Sequence, residues 1–302
     1  MMPQSDSVFG PVLSCLNQGR YSAAMMKLTN LSHEYSKDLN YLRLLAKTQK
    51  ALADFSALII TLKYTARLTN LSADYIEHML TLYSQGRLNE ALDIALNLEE
   101  KSLSVSEKKI VAHCLIKIYL EFFDYEGAEE VIRMCNTAAQ DDLMMFALGL
   151  VFLARGEQNE ALVYLRKSVE LNCKNDQAWV SLSLLHEDMG DHEIALANLD
   201  KAFDANPNNA TGLKLLTKWH RRDAGQVNKA IRHIRYYLSK FEFDEEISLC
   251  YMQLLKEVDD VKSLHFEAEK LVLYNPNKLK YSVIKKNLEL RMKLQHEITM
   301  NV

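Results

Sequence analysis

Proline and glycine are scarce in this chain, 4 and 9 among 302 residues. So little of either leaves no room for a flexible linker or a low-complexity segment. Cysteine is sparse too. Cys15, Cys114, Cys135, Cys173 and Cys250 are odd in number, and none forms a Cys-x-x-Cys pair. That argues against a disulfide framework and against a zinc site. Buried free thiols acting as small hydrophobes are expected instead, with Cys135 and Cys173 among them. No apolar run approaches the ~20 residues that span a bilayer. The stretch from Leu143 to Ala154 is apolar but short, so no membrane span is expected. The opening Met-Met-Pro-Gln-Ser-Asp has no basic region followed by an apolar core. No secretory leader is therefore expected, and the cytoplasm is the expected compartment. A net charge of −4 is too small to imply a nucleic-acid partner.

The usual carriers of chemistry are missing as well. There is no Gly-rich phosphate loop and no Gly-x-Ser-x-Gly elbow. The carboxylate pairs Asp141-Asp142 and Asp259-Asp260 fall near helix starts, where they cap helices or oppose the helix dipole. The tract from His186 to Glu193 offers two histidines among carboxylates. Its histidines are six residues apart with Gly190 between them, unlike the helical His-Glu-x-x-His arrangement. A core histidine beside a polar turn is the better account of His186. No enzyme activity, cofactor or metal is expected.

What is present is a repeat. Ala24, Ala57, Ala91, Ala128, Ala161, Ala195 and Ala230 are spaced by 33, 34, 37, 33, 34 and 35 residues, and Leu264 follows one period later. Apolar residues make up 48% and charged residues 25%, which fits a folded and soluble chain. The clearest unit reads Trp179, Leu182, Ser183, His186, Gly190, Ala195, Leu199, Ala202 and Pro207. The preceding unit places Met145, Leu148, Gly149, Phe152, Gly156, Ala161, Leu165, Ser168 and Cys173 at the same offsets. The first cluster follows i, i+3, i+4, i+7, one face of a helix. The glycine then breaks the chain for a turn. The second cluster is again spaced by three and four, and Asn206-Pro207-Asn208 stops it. Each unit is thus two antiparallel helices, with small residues at Gly149, Ala161, Ser183 and Ala195 letting them approach. One such pair cannot bury its apolar face alone, so neighbours must stack.

This spacing resembles the tetratricopeptide repeat family, most closely in the two units just quoted. The resemblance covers nearly the whole chain. It implies an all-α fold: a right-handed α-solenoid of about eight helix pairs over residues 5–276. The units start near 5, 38, 72, 109, 142, 176, 210 and 245. Leu45, Met79 and Ile116 stand where the family usually has a small residue, so helix packing there should adjust. Ser104 with Glu107 reads as a capping box that restarts a helix after the longest step. Residues 277–302 read as a C-terminal capping helix and tail. Lys278, Lys280, Lys285, Lys286, Arg291 and Lys293 make it basic, as a solvated face would be.

By the same resemblance, the first helix of each pair lines a concave groove. Its expected partner-binding residues are Phe9, Leu13, Leu42, Ile76, Leu80, Tyr83, Phe146, Leu150, Leu153 and Leu184. A groove this apolar suits a protein or peptide segment, helical or extended, with apolar anchors. The competing expectation is that these side chains pack on one another. Charge divides near residue 205. Residues 141–204 hold 12 acidic and 5 basic residues, whereas 214–240 hold 8 basic and 1 acidic. A basic patch of Lys214, Lys218, Arg221, Arg222, Arg232 and Arg235 is expected to steer an acidic segment. The expected function is a non-enzymatic interaction scaffold or assembly adaptor. The alternatives are a cytosolic secretion chaperone shielding an apolar segment, and a peptide-sensing regulator.

Overall fold

The computed structural model describes residues 8–99, 101–135, 141–219 and 224–300. Every regular element among them is a helix. Packing divides the chain into two compact units, Met1–Ala139 and Gln140–Val302. Each is a stack of antiparallel helix pairs, the arrangement of an α-solenoid.

The first unit holds four pairs. They are α1 (Gly10–Asn17) with α2 (Tyr21–Tyr35), α3 (Leu39–Ala51) with α4 (Phe55–Thr69), α5 (Ser72–Ser84) with α6 (Leu88–Glu99), and α7 (Val105–Glu121) with α8 (Tyr125–Met134). The second holds four more and a last helix. These are α9 (Asp142–Ala154) with α10 (Gln158–Leu171), α11 (Asp176–Asp188) with α12 (His192–Ala205), α13 (Ala210–Trp219) with α14 (Ala224–Lys240), α15 (Glu245–Glu257) with α16 (Val261–Tyr274), and α17 (Leu279–Met300).

Local chemistry sets these boundaries. The side chains of Asp38, Asp54, Asp124, Asp141, Asn175, Asp244 and Asp260 each accept from a backbone N–H in the first turn that follows. Ser104 does the same for α7, and Glu107 reaches back to complete the capping box. That cap starts α7 at Val105, ahead of residue 109. The turn inside a pair uses one left-handed residue. Gly19, Gly86, Gly156 and Gly190 supply it in four pairs, and Ala53, Phe123 and Asp259 adopt it in three more.

Five residues after that turn sits the repeat marker. Ala24, Ala91, Ala128, Ala161, Ala195 and Ala230 are fully buried. In the second pair the marker is Leu58, 1% exposed, and not Ala57. Ala57 is only half-buried, and its N–H is taken by the Asp54 cap. Asp54 fixes the frame, and the buried position lies four residues beyond it, as Ala128 lies beyond Asp124.

The tightest pairs are α9–α10 and α11–α12. A Cβ at Gly149 would stand 2.6 Å from Leu165 Cγ, so only glycine allows this approach. Ser183 instead turns its hydroxyl to the Ala195 carbonyl at 2.6 Å. Where Met79 and Ile116 replace the small residue, both are wholly buried in looser pairs. Cys173 is exposed, contrary to its expected burial, whereas Cys15 and Cys114 are buried. His220, Arg221, Arg222 and Asp223 lie outside the described residues.

Candidate partner-binding surfaces

The first helices carry the expected binding residues, and burial separates these into two layers. In the first unit Phe9, Leu42 and Ile76 are buried core residues. The Phe9 ring meets Tyr35 edge-on at 5.4 Å. Leu13 and Leu80 remain exposed and Tyr83 half-buried. Burial and then the nearby Glu121 carboxylate push the Tyr83 phenol above its ordinary pKa. In the second unit Phe146 is buried, Leu150 and Leu153 are half-buried, and Leu184 is exposed. Helical geometry explains the split. A first helix turns one stripe toward its own partner and the preceding pair, and residues at the edge of that stripe sink into the core. In each unit some of these side chains thus stay at the surface while the larger ones lie in the core.

The basic block is partly consumed within the fold. Lys214 pairs with Glu246 on the next first helix, and Lys229 pairs with Asp200 on α12. Arg235 Nε donates to the Tyr251 hydroxyl at 2.6 Å, and its guanidinium lies 3.6 Å from Asp260. Lys218 and Arg232 are exposed. Arg221 and Arg222 lie outside the described residues. Reading by blocks along the chain missed Lys262 and Lys270, which flank a cleft with Arg235 from a different helix. Only the repeat phase could have brought them together.

The histidine tract forms two separate pairs. His186 is buried with Nδ1 3.3 Å from Asp191, and His192 is half-exposed with Nδ1 2.8 Å from Glu187. His78 was not singled out by its sequence context. It is buried on α5 with Nε2 lacking a hydrogen-bond partner. Burial, followed by Lys63, lowers its pKa to about 4.

Comparison with known proteins matches residues 176–209 to the tetratricopeptide repeat family model. The chain is 23% identical over 235 residues to DnaJ homolog subfamily C member 3 of Gallus gallus, a match covering 72% of this chain and 43% of that protein. It thus spans less than half the length of that relative. Among solved structures, a tetratricopeptide repeat protein from Parabacteroides merdae superposes with TM-score 0.65 at 13% identity, covering 83% of this chain and 98% of the other. The Cut9-Hcn1 hetero-tetramer of the APC/C gives TM-score 0.55 at 13% identity, covering 81% and 48%. No helix among the described residues is long and apolar enough to cross a membrane.

Proposed function

We propose that this chain, a tetratricopeptide repeat protein, is a non-enzymatic scaffold that holds a protein segment against its first helices. The observation that carries this reading is the layer of first-helix side chains left at the surface: Leu13, Leu80 and Tyr83 in one unit, Leu150, Leu153 and Leu184 in the other. Exposed apolar side chains gathered on one face mark a contact surface, and an aromatic such as Tyr83 is the kind of residue on which binding energy concentrates. All five cysteines are free thiols, which fits a reducing compartment such as the cytoplasm. The occupant is a segment with apolar anchors, helical or extended.

A photo-crosslinking residue placed at Leu80 tests this. The comparison site is Ile60 on α4, which is 70% exposed on a second helix. A discrete adduct is expected at Leu80 and not at Ile60, and Tyr83→Ala should remove it. Equal adducts at both sites, or indifference to Tyr83→Ala, would overturn the reading. A second reading, shielding of an apolar segment before its partner folds or moves, draws on the likeness to the DnaJ homolog. Under it the captured protein is unfolded and is cut by protease more readily than the same protein alone. Under the scaffold reading it is not.

A further inference from the structure

In the second unit, second helices flank clefts between α10 and α12 and between α14 and α16, each reaching the intervening first helix. In the second unit the repeat places the same positions at each. Counted from the buried markers, Asp200, Phe203, Lys229 and His233 occupy the cleft between α12 and α14. The same positions between α14 and α16 are Arg235, Leu238, Ser263 and Glu267. Between α10 and α12 they are Arg166, Val169, Ile194 and Asn198.

Between α12 and α14 the residues at these positions bridge the gap. Lys229 pairs with the Asp200 carboxylate, and His233 stacks on Phe203 with ring centroids 4.4 Å apart. The α14–α16 cleft has lost both closures. Arginine replaces the carboxylate, glutamate replaces the imidazole, and leucine replaces the phenyl ring. An open cleft of about 460 Å³ results, flanked by Arg235, Lys262 and Lys270 and walled by Tyr251 and Phe266. That lies within the ~300–1,000 Å³ typical of ligand clefts. The α10–α12 cleft is also open, at about 230 Å³, and carries Arg166 and Lys201 at the positions of Arg235 and Lys270.

Glu267 marks the α14–α16 cleft as incomplete. Its side chain is 4% exposed, Oε1 lies 3.4 Å from the Lys270 ammonium, and the buried Oε2 has no partner. A buried carboxylate oxygen without a donor is costly. Asp260 at 3.6 Å occupies one side of Arg235, while Lys262 on the rim is exposed. The cleft thus offers cations at its mouth, between a tyrosine and a phenylalanine ring.

We infer that the α14–α16 cleft binds an acidic peptide segment of a partner. A carboxylate of the segment pairs with Lys262 and Lys270 at the mouth of the cleft. Phe266, 56% exposed, covers the peptide. This site is independent of the first-helix face and of any partner bound there.

The test is fluorescence anisotropy of a labelled Glu-rich peptide with the full chain, beside its Gln counterpart and inorganic phosphate as competitor. The Glu peptide should bind, and the Gln peptide should not. Lys262→Glu with Lys270→Gln should weaken binding about ten-fold or more. Lys47→Glu with Lys50→Gln, the same charge change on α3, should leave it within about two-fold, because exposed charges outside the cleft are screened by salt. Circular dichroism of both variants checks that helicity is kept. Lys262→Glu alone repeats the test should the double variant lose it. Absence of binding, equal loss in the control pair, or displacement by equimolar phosphate would each overturn the inference, the last by reducing the site to a simple anion pocket.

Discussion

Phe123 holds φ at +56° with its ring 76% exposed, at the turn position where four other pairs place glycine. A side chain with a Cβ costs roughly 1–2 kcal/mol in that region. Glycine loses some of the gain through greater freedom of the unfolded chain, about 0.4–1 kcal/mol. Phe123→Gly should therefore stabilise the protein by roughly 0.5–1 kcal/mol, read as a higher Tm. A lower Tm would mean that the exposed ring makes a stabilising contact. His78 gives a prediction of opposite sense. Its folded pKa is about 4 against an ordinary 6.5, so the unfolded chain takes up the proton first as acid is added. Stability is then complete above about 6.5 and declines down to about 4. The repeat-equivalent residue in α11 is Leu182, wholly buried. His78→Leu should flatten the loss of stability between those pH values in denaturant titrations. Some slope should remain, because burial also lowers the pKa of His233. An unchanged slope would show that His78 is solvated enough to titrate normally. Neither residue was legible in the sequence. Phe123 lacks the glycine that announces the turn, and the burial of His78 depends on a neighbouring pair.

At the scale of the helix pair much could be read, because capping and packing follow local residue order. Asp and Ser caps, turn glycines and buried alanines fix most helix starts. The second pair shows the limit. Ala57 continues the alanine series in the sequence, yet the Asp54 cap sets the frame and buries Leu58. A small residue identified the repeat, but the cap decided its register. The closeness of a pair follows from the small residue facing it. In α9 that residue is Gly149, where an added Cβ would come 2.6 Å from Leu165 Cγ and 3.4 Å from the Leu165 backbone nitrogen. Gly149→Ala gains about 1 kcal/mol of helix propensity but overfills this contact at a cost of ~1–3 kcal/mol. A net loss of roughly 1 kcal/mol is expected. Leu165→Ala in the same chain should make the glycine change neutral or favourable, a coupling that a double-mutant cycle measures. Additive effects would mean that α9 and α10 can move apart freely. The binding residues were less legible than the pairs. Phe9, Leu42, Ile76 and Phe146 satisfy the family's groove positions, yet they are buried. Helix rotation within each pair decides this, and residue type alone does not encode it. Removing Phe146 is therefore a core deletion costing ~3–5 kcal/mol, unsuited to probing partner capture.

For the molecule as a whole, stability is a sum of neighbouring interfaces, the last of them here made by α17. The sequence suggested a basic cap with a solvated face. In the structure three of those six are paired within the fold: Lys278 with Glu245 at 2.6 Å, Lys285 with Glu269 at 3.1 Å and Arg291 with Asp259 at 2.6 Å. Such exposed pairs contribute ~0–1 kcal/mol each. Apolar contact stabilises the last helix more than they do. Tyr281 and Leu288 are buried against α15 and α16, in the core that runs back to Val180. The opposite side of α17 leaves Leu279, Val283, Leu290 and Leu294 more than half exposed. Deleting residues 279–302 should uncover the α16 side of that core, lowering the Tm and driving self-association visible by light scattering. Lys285→Ala should have almost no effect, since it removes only a surface ion pair. If the truncated chain stays monomeric and equally stable, α17 adds nothing to the stability of the pairs before it. If instead Lys285→Ala alone reproduces the loss, the ion pairs and not the buried tyrosine and leucine hold the last helix in place.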